Sequence, residues 1–497
     1  MPDNRRFGVP RDGHWLHYVG DCGAAASFLE TRSLATGWLI VMFFDALFRS
    51  FGQLILANNP VSGLIVLTAL CAVRPWAGLA AVACTSIAVL VAAAAGQQRG
   101  AVCSGLASCS ATLLGAATVC LLEPGALDGH VWALLCAAAA VSVYVSSGLS
   151  TLVSAVLPPA WWGGGRDGRP RRGLRPDGAV EPAWTPAPGK GPWPSLFALP
   201  YGLLQLVLFL CLLHSEAGLS LRPEALSGTP AAANTTAPEA AASAAPLPAV
   251  GLNLSAGDVN VTRVREFYDI DHLDWGQTFQ GVLVSASQIL ALEDAAMSAA
   301  IYIALLVFSP VAACTALAGA FLGSIAGVAL LEPPYTAVYR GVWGVNGLLS
   351  MWAVSAHSFV LSWHSVAAGA ACTALSAGLQ AALGPLLTAA GLPVLLLPHS
   401  VAALLFLLVA SSAKTGFVRP AVLTFPEKHK YDFWTEHADE EVGACASPRR
   451  SRSGTTPRTV ATPMGHFHLF CSSRTQNTTS TPNGPTVPRQ CRSEGQA

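Results

Sequence analysis

The chain has 497 residues, of which 52% are hydrophobic and only 11% charged, with a formal net charge of zero. Ordinary soluble domains carry about 25% charged residues, so most of this sequence is not built to face water. No basic or acidic surplus points to a nucleic-acid or acidic partner.

In chain order, residues 1–33 read as a polar tail. Its opening MPDNRRFGVPRDGHW lacks an apolar core, so no cleaved signal peptide is expected. Runs without any Asp, Glu, Lys or Arg then occupy 77–98, 131–157, 195–214, 299–331 and 366–413. Each reaches the roughly 20 residues that cross a bilayer as a helix, and the last has room for two crossings. The ten-residue alternation of an outer-membrane barrel is absent. The expected fold class is an all-α polytopic membrane protein.

Ahead of these runs, DALFRSFGQ places Asp45, Arg49 and Gln53 four residues apart, on one helix face. The Asp–Arg pair can neutralise itself, or it anchors a helix end at the interface. Gln53 lies a turn further in, before LILA. A glutamine carbonyl in an apolar wall can accept from a passing N–H without burying a charge. Its alternative role is hydrogen bonding between helices.

Between Pro158 and Pro194 the sequence is rich in Gly, Pro and Arg and cannot build a core, so a disordered loop is expected. Its arginines, Arg166 to Arg175, put that loop in the cytoplasm by the positive-inside rule. Residues 216–271 form a linker with an Ala/Pro-rich stretch and three acceptor triplets, at Asn234, Asn253 and Asn260. These predict a glycosylated loop outside the cytosol. A tail from about 436, rich in Ser, Thr, Arg and Pro, is expected to be disordered.

The two sides of the linker repeat each other. QLILANNPVSGLIVLTALCAVRP from Gln53 matches QILALEDAAMSAAIYIALLVFSP from Gln288, so that Gln53 pairs with Gln288 and Pro75 with Pro310. Gly105 pairs with Gly341. Gln280 precedes Gln288 by eight residues, the spacing of Asp45 to Gln53. Five crossings per half, with both termini cytoplasmic, satisfy the arginine and glycosylation signs and make the repeats inverted. Each half also carries a proline pair ahead of an apolar helix, Pro194 with Pro200 and Pro393 with Pro398, read either as breaks lining a cavity or as simple kinks.

No HExxH, GxSxG or Walker sequence is present, so an enzyme is not expected. The 13 cysteines are scattered without CxxC spacing and read as small packing residues. His357, His364 and His399 are too irregularly spaced for a metal site. No cofactor is implied. The few acids in apolar sequence, Asp45, Glu123, Glu293 and Asp294, are thin material for an ion relay, which favours passive flow of a neutral solute.

At these residues the chain resembles the urea transporter family. The resemblance runs through Asp45-Arg49-Gln53, Asn58-Asn59-Pro60-Val61-Ser62-Gly63, Arg74-Pro75-Trp76 and both proline pairs. It continues through Gln288, Tyr339, Gly341, Gly344 and Asn346 to Thr424-Phe425-Pro426-Glu427. It covers about two thirds of the chain and implies two inverted five-helix repeats around a narrow pore, one pore per subunit of a homotrimer. The implied activity is passage of urea by facilitated diffusion across the plasma membrane.

Carried over by position, the family's outer-site and inner-site glutamines are Gln53 and Gln288. A pore phenylalanine is Leu56 here. The family's aromatic residues before two asparagines are Cys109 and Val345, and those asparagines are Ser110 and Asn346. The midpoint threonines are Ala198 and Leu396. The expected substrate-binding set is therefore Gln53, Gln288, Leu56, Cys109, Ala198, Val345 and Leu396. The acceptors at both ends are kept and much between them is changed. This leaves room for two alternatives: a channel for another small neutral solute (water, ammonia, other amides), or a transport-deficient protein that keeps the scaffold.

Overall fold

The computed structural model describes residues 20–32, 37–156, 198–214, 221–222, 273–409, 416–420 and 423–435. These lie in one compact unit, Met1–Val442; a second unit, Gly443–Ala497, falls outside them. So do the insert 158–194, Asn234, Asn253, Asn260 and the tail from 436.

The described residues form helices and no strand; one antiparallel bridge joins Leu122 to Leu221. The first half contains α1 (Gly23–Glu30), α2 (Trp38–Gln53), α3 (Pro60–Val73), α4 (Pro75–Ala94), α5 (Arg99–Cys103), α6 (Cys109–Leu121), α7 (Gly129–Val156) and α8 (Ala198–Leu213). The second contains α9 (Trp275–Val284), α10 (Ala295–Phe308), α11 (Pro310–Leu330), α12 (Thr336–Tyr339), α13 (Val342–Trp352), α14 (Trp363–Ala389) and α15 (Leu397–Leu407). A last helix covers 426–435.

Helices α4, α7, α11 and α14 are long and apolar enough to cross a bilayer. The charge-free run 299–331 divides at Ser309-Pro310 into α10 and α11, and the run 366–413 yields α14 and α15. Outward faces are as apolar as inward ones: Ile40, Leu90, Ile303 and Leu386 are all exposed. A helix apolar all round is one that meets lipid or a buried core rather than water.

The helix starts repeat between the halves. Asn59 caps α3 by accepting from the amides of Val61 and Ser62, and Asp294, 235 positions on, caps α10 by accepting from Met297. Asp294 before Ala295 thus makes the cap that Asn59 makes before Pro60, a feature worth about 1 kcal/mol. Ser309 caps α11 with Pro310 in the first helical position, as Pro75 opens α4. The proline there is preset for helix and forgoes an N–H that would lack a partner anyway.

Of the proline pairs, Pro194 lies outside the described residues, and Pro393 lines the cavity described below. Pro200 and Pro398 lie in the first turns of α8 and α15, so they start helices instead of kinking them. The irregular backbone lies before α15, where Leu395 is left-handed at φ 53°.

One apolar core runs through both halves, from Phe51 and Leu114 to Ile301 and Trp352. Polar bonds cross it: Ser62 Oγ donates to the Ala304 carbonyl at 2.7 Å, and Trp352 Nε1 to the Ile55 carbonyl at 3.0 Å.

Candidate solute-binding site

The site is built from two copies of one device. Gln53 ends α2, and its Nε2 donates to the carbonyl of Ser104 at 3.1 Å. Gln288 lies in a short 3-10 turn after α9, and its Nε2 donates to the carbonyl of Arg340 at 2.8 Å. Each carbonyl immediately precedes a left-handed glycine, Gly105 (φ 73°) or Gly341 (φ 78°). Only glycine serves there, because a Cβ would strike the backbone of Ser50 or Ser285. Those serines repeat as well, with Ser50 Oγ on the Ala46 carbonyl and Ser285 Oγ on the Gly281 carbonyl.

Three residues past each glutamine the chain turns left-handed, at Leu56 (φ 57°) and Ala291 (φ 54°). Since a backbone carbonyl can only accept, the amide nitrogen of each glutamine must be the group it holds. The side-chain oxygen is then the free end, an acceptor.

A cavity of about 120 Å³ brings together Gln288, Val345 and Leu396, with Ala291, Leu395, Gln380 and Thr388 completing this part of its wall. Gln53, Leu56, Cys109 and Ala198 are not in that wall. Gln53, Leu56 and Cys109 are buried, and Ala198 packs against the core. The second-half members of the expected set thus gather in one cavity and the first-half members do not. Leu396, only 3% exposed, lines it beside Leu395.

The wall near Leu396 is held by α13. Asn346 Nδ2 donates to Gln380 Oε1 at 2.9 Å and to the Leu395 carbonyl at 3.2 Å, while its Oδ1 accepts from the His399 amide at 3.4 Å. In the first half the corresponding bond is shorter in reach, from Ser146 Oγ to Ser110 Oγ at 3.4 Å. His399 itself is buried against Ser350 Oγ, and His357 is buried against Trp352. His364 lies on Trp363 at the start of α14. Among the described residues no group of His, Cys, Asp and Glu could hold a metal ion.

The two glutamines have different surroundings. The Gln288 cavity is also lined by Arg74 and Arg222; the latter's amide and Nε donate to the carbonyls of Leu121 and Leu122, at 2.9 and 3.0 Å. Arg340 Nε meets Glu293 at 2.6 Å beside it. Both ends of the linker therefore lie on this side, since the Asp274 amide also donates to Tyr339 Oη at 3.0 Å. Gln53 lies near the N-terminal segment. Arg49, one turn before it, pairs with Asp45 at 2.9 Å and donates to the carbonyls of Asp21 and Asn58.

Sequence reasoning missed Ala291, although its offset of 235 from Leu56 would have found it. It missed Arg222, for which a low-complexity linker gives no signal. Gln280 is exposed and apart from Gln288. Helix α9 ends at Val284 and the following 3-10 turn shifts the phase, so the eight-residue spacing does not keep both on one face.

A chain whose described residues are helical and apolar on their outer faces, with four helices long and apolar enough to cross a bilayer, is a multi-pass membrane protein. A family model described as urea transporter matches residues 44–161 and 196–411. The chain is 24% identical over 421 residues to urea transporter 1 of Capra hircus, covering 84% of this chain and 88% of that one. It is 24% identical over 430 residues to urea transporter 1 of Rattus norvegicus, with the same coverage. The chain belongs to the urea transporter family, a family of transporters and not of enzymes.

Proposed function

We propose that the protein conducts urea passively across the plasma membrane, by facilitated diffusion through a channel-type path between its two halves. One observation carries this: each half offers a glutamine whose nitrogen is tied to a backbone carbonyl and whose oxygen is left to accept. Urea has two amides, and stripping their water without replacement costs roughly 1–3 kcal/mol per unpaired group. An acceptor at each end of an apolar path offsets part of that cost.

On this reading residues 34–215 and 272–415 are inverted repeats, with 1–33 and 416–497 cytoplasmic and 216–271 outside and glycosylated. What supports the inversion is that the linker ends lie by Gln288 and the N-terminal segment by Gln53. Gln288 then serves the outer mouth and Gln53 the inner one, the reverse of the order carried over from the family. A homotrimer with one path per subunit follows from the family alone. Glycosidase treatment of protein from a secretory host tests the topology: the band should shift, and the shift should vanish when Asn234, Asn253 and Asn260 are all replaced.

A second reading has its own observation, the two leucines, Leu395 and Leu396, in the cavity wall. It favours a slower urea path, or one for water, ammonia or another amide. Stopped-flow flux in liposomes with urea, thiourea, water and ammonia separates the cases. Urea flux no faster than in empty liposomes would rule out the first reading.

A further inference from the structure

The cavity that holds Gln288 carries more positive charge than a path for a neutral solute requires. Three arginines line it, Arg74, Arg222 and Arg340, and one carboxylate, Glu293. Glu293 is bonded to Arg340. Among the described residues, neither Arg74 nor Arg222 forms an ion pair. The remaining guanidiniums therefore face a cavity of about 120 Å³, large enough for a small organic ion.

Each is fixed from a different direction. Arg74 is the joint between α3 and α4, capping the end of one and the start of the other. Arg222 is held by its own amide and Nε on the Leu121 and Leu122 carbonyls. Among the described residues its terminal nitrogens have no partner. Positive charge at the mouth of an apolar cavity is focused by the low-dielectric walls and raises the local anion concentration. Guanidinium forks match planar oxyanions, which they bind through two parallel N–H···O bonds, better than they match a spherical halide.

We propose that this vestibule is an anion site that takes a small carboxylate-class oxyanion, such as formate, acetate or bicarbonate, between Arg74 and Arg222. The occupant shares the cavity with Gln288, so it blocks the amide acceptor while bound. The blocking effect rests on the urea-conducting reading; the binding does not. An anion on this side would then regulate flux competitively, and salt would weaken it by screening.

The test separates the two claims. Saturation-transfer NMR of formate with the purified full chain in detergent reads binding without any transport. The formate signal should saturate on titration and weaken as sodium chloride is raised. Arg74→Gln and Arg222→Gln should each weaken the affinity roughly tenfold, the scale of one lost charge-assisted hydrogen bond. Lys430→Gln, on the exposed face of the 426–435 helix, should leave it unchanged. Arg74→Lys, which keeps the charge and loses the fork, should fall between. Circular dichroism and gel filtration confirm that each variant is folded.

No formate transfer, or equal transfer in wild type and both Gln variants, overturns the proposal. External formate should also slow urea entry into liposomes. Binding without urea flux refutes the channel reading and leaves the anion site standing. Urea flux without formate binding does the reverse.

Discussion

Gln53 and Gln288 make the same hydrogen bond in the two halves, each from Nε2 to the carbonyl that precedes a left-handed glycine. The bond orients the side chain by fixing its Nε2 on the carbonyl, which leaves Oε1 as the acceptor. Replacing either glutamine with leucine removes that acceptor at similar volume and leaves the Ser104 or Arg340 carbonyl without its partner. Urea flux should fall by roughly two- to twelvefold, the equivalent of about 0.5–1.5 kcal/mol for one hydrogen bond. Stopped-flow measurements on both variants check this. Unchanged flux in both would mean that neither amide meets the solute.

The glycines that set up this bond should be intolerant of even one methyl group. Gly341→Ala forces a side chain into the left-handed region, at about 1–2 kcal/mol, and drives its Cβ into the Ser285 backbone. Gly105→Ala does the same against Ser50. Both variants should lower the thermal midpoint of the detergent-solubilised protein by several degrees. By contrast Gly148, with open space around it, should accept alanine without loss. Equal midpoints for all three would remove the proposed reason for these glycines.

Much of this arrangement was legible in sequence because lipid imposes a simple demand. Charge-free runs of bilayer length located α4, α7, α8, α14 and α15, and the run 299–331 covered α11 and all but the first turn of α10. Helix α2 escaped that criterion because it carries Asp45 and Arg49, which pair with each other one turn apart. Helix α6 lies in a further charge-free run, 100–122, that sequence reasoning missed; it is buried along its whole length and so shows no amphipathic period. For the site, the repeat located Gln53, Gln288, Gly105 and Gly341. What the sequence left open was depth and grouping. The cavity collects second-half residues, Arg74, Cys120 and Leu121 of the first half, and Arg222 of the linker, and no spacing rule connects Arg222 to Gln288.

Acid should loosen the segment after the second half. There the Thr424 amide donates to His429 Nε2 at 2.8 Å, Phe425 packs on Phe308, and Glu427 accepts from Ser309 Oγ at 2.8 Å. Burial pushes His429 from its usual 6.5 down to about 3, and nearby His357 adds to the effect. The folded pKa is depressed, so the unfolded segment binds more protons at intermediate pH. The stabilising contribution is whole above about 6.5 and erodes as pH falls from there towards 3. Opening of 423–435 should rise by up to about tenfold per pH unit in that window, read as hydrogen-exchange protection corrected for intrinsic rate. His429→Gln keeps an acceptor but cannot titrate, so its profile should be flat. A slope identical to wild type would place the titrating group elsewhere.

Leu396 in the cavity wall offers the sharpest test of how this chain handles its solute. Leu396 is 3% exposed and lies beside Leu395, whose carbonyl is fixed by Asn346. Leucine there presents bulk without an acceptor, so an amide passing this point gives up water and receives nothing for it. Leu396→Thr removes volume and supplies a hydroxyl that can accept from N–H, lowering both the steric and the desolvation barrier. One recovered bond is worth about 0.5–1.5 kcal/mol, which is roughly a two- to twelvefold gain in urea flux. Ala198→Thr, at the start of α8, adds the oxygen but also adds bulk, so its gain should be smaller. The double variant should exceed either alone, because the hydroxyls would serve the same solute from the two halves. Stopped-flow flux in liposomes measures all three against wild type. If wild type already conducts urea rapidly and Leu396→Thr leaves the rate unchanged, the Leu396 constriction does not limit flow.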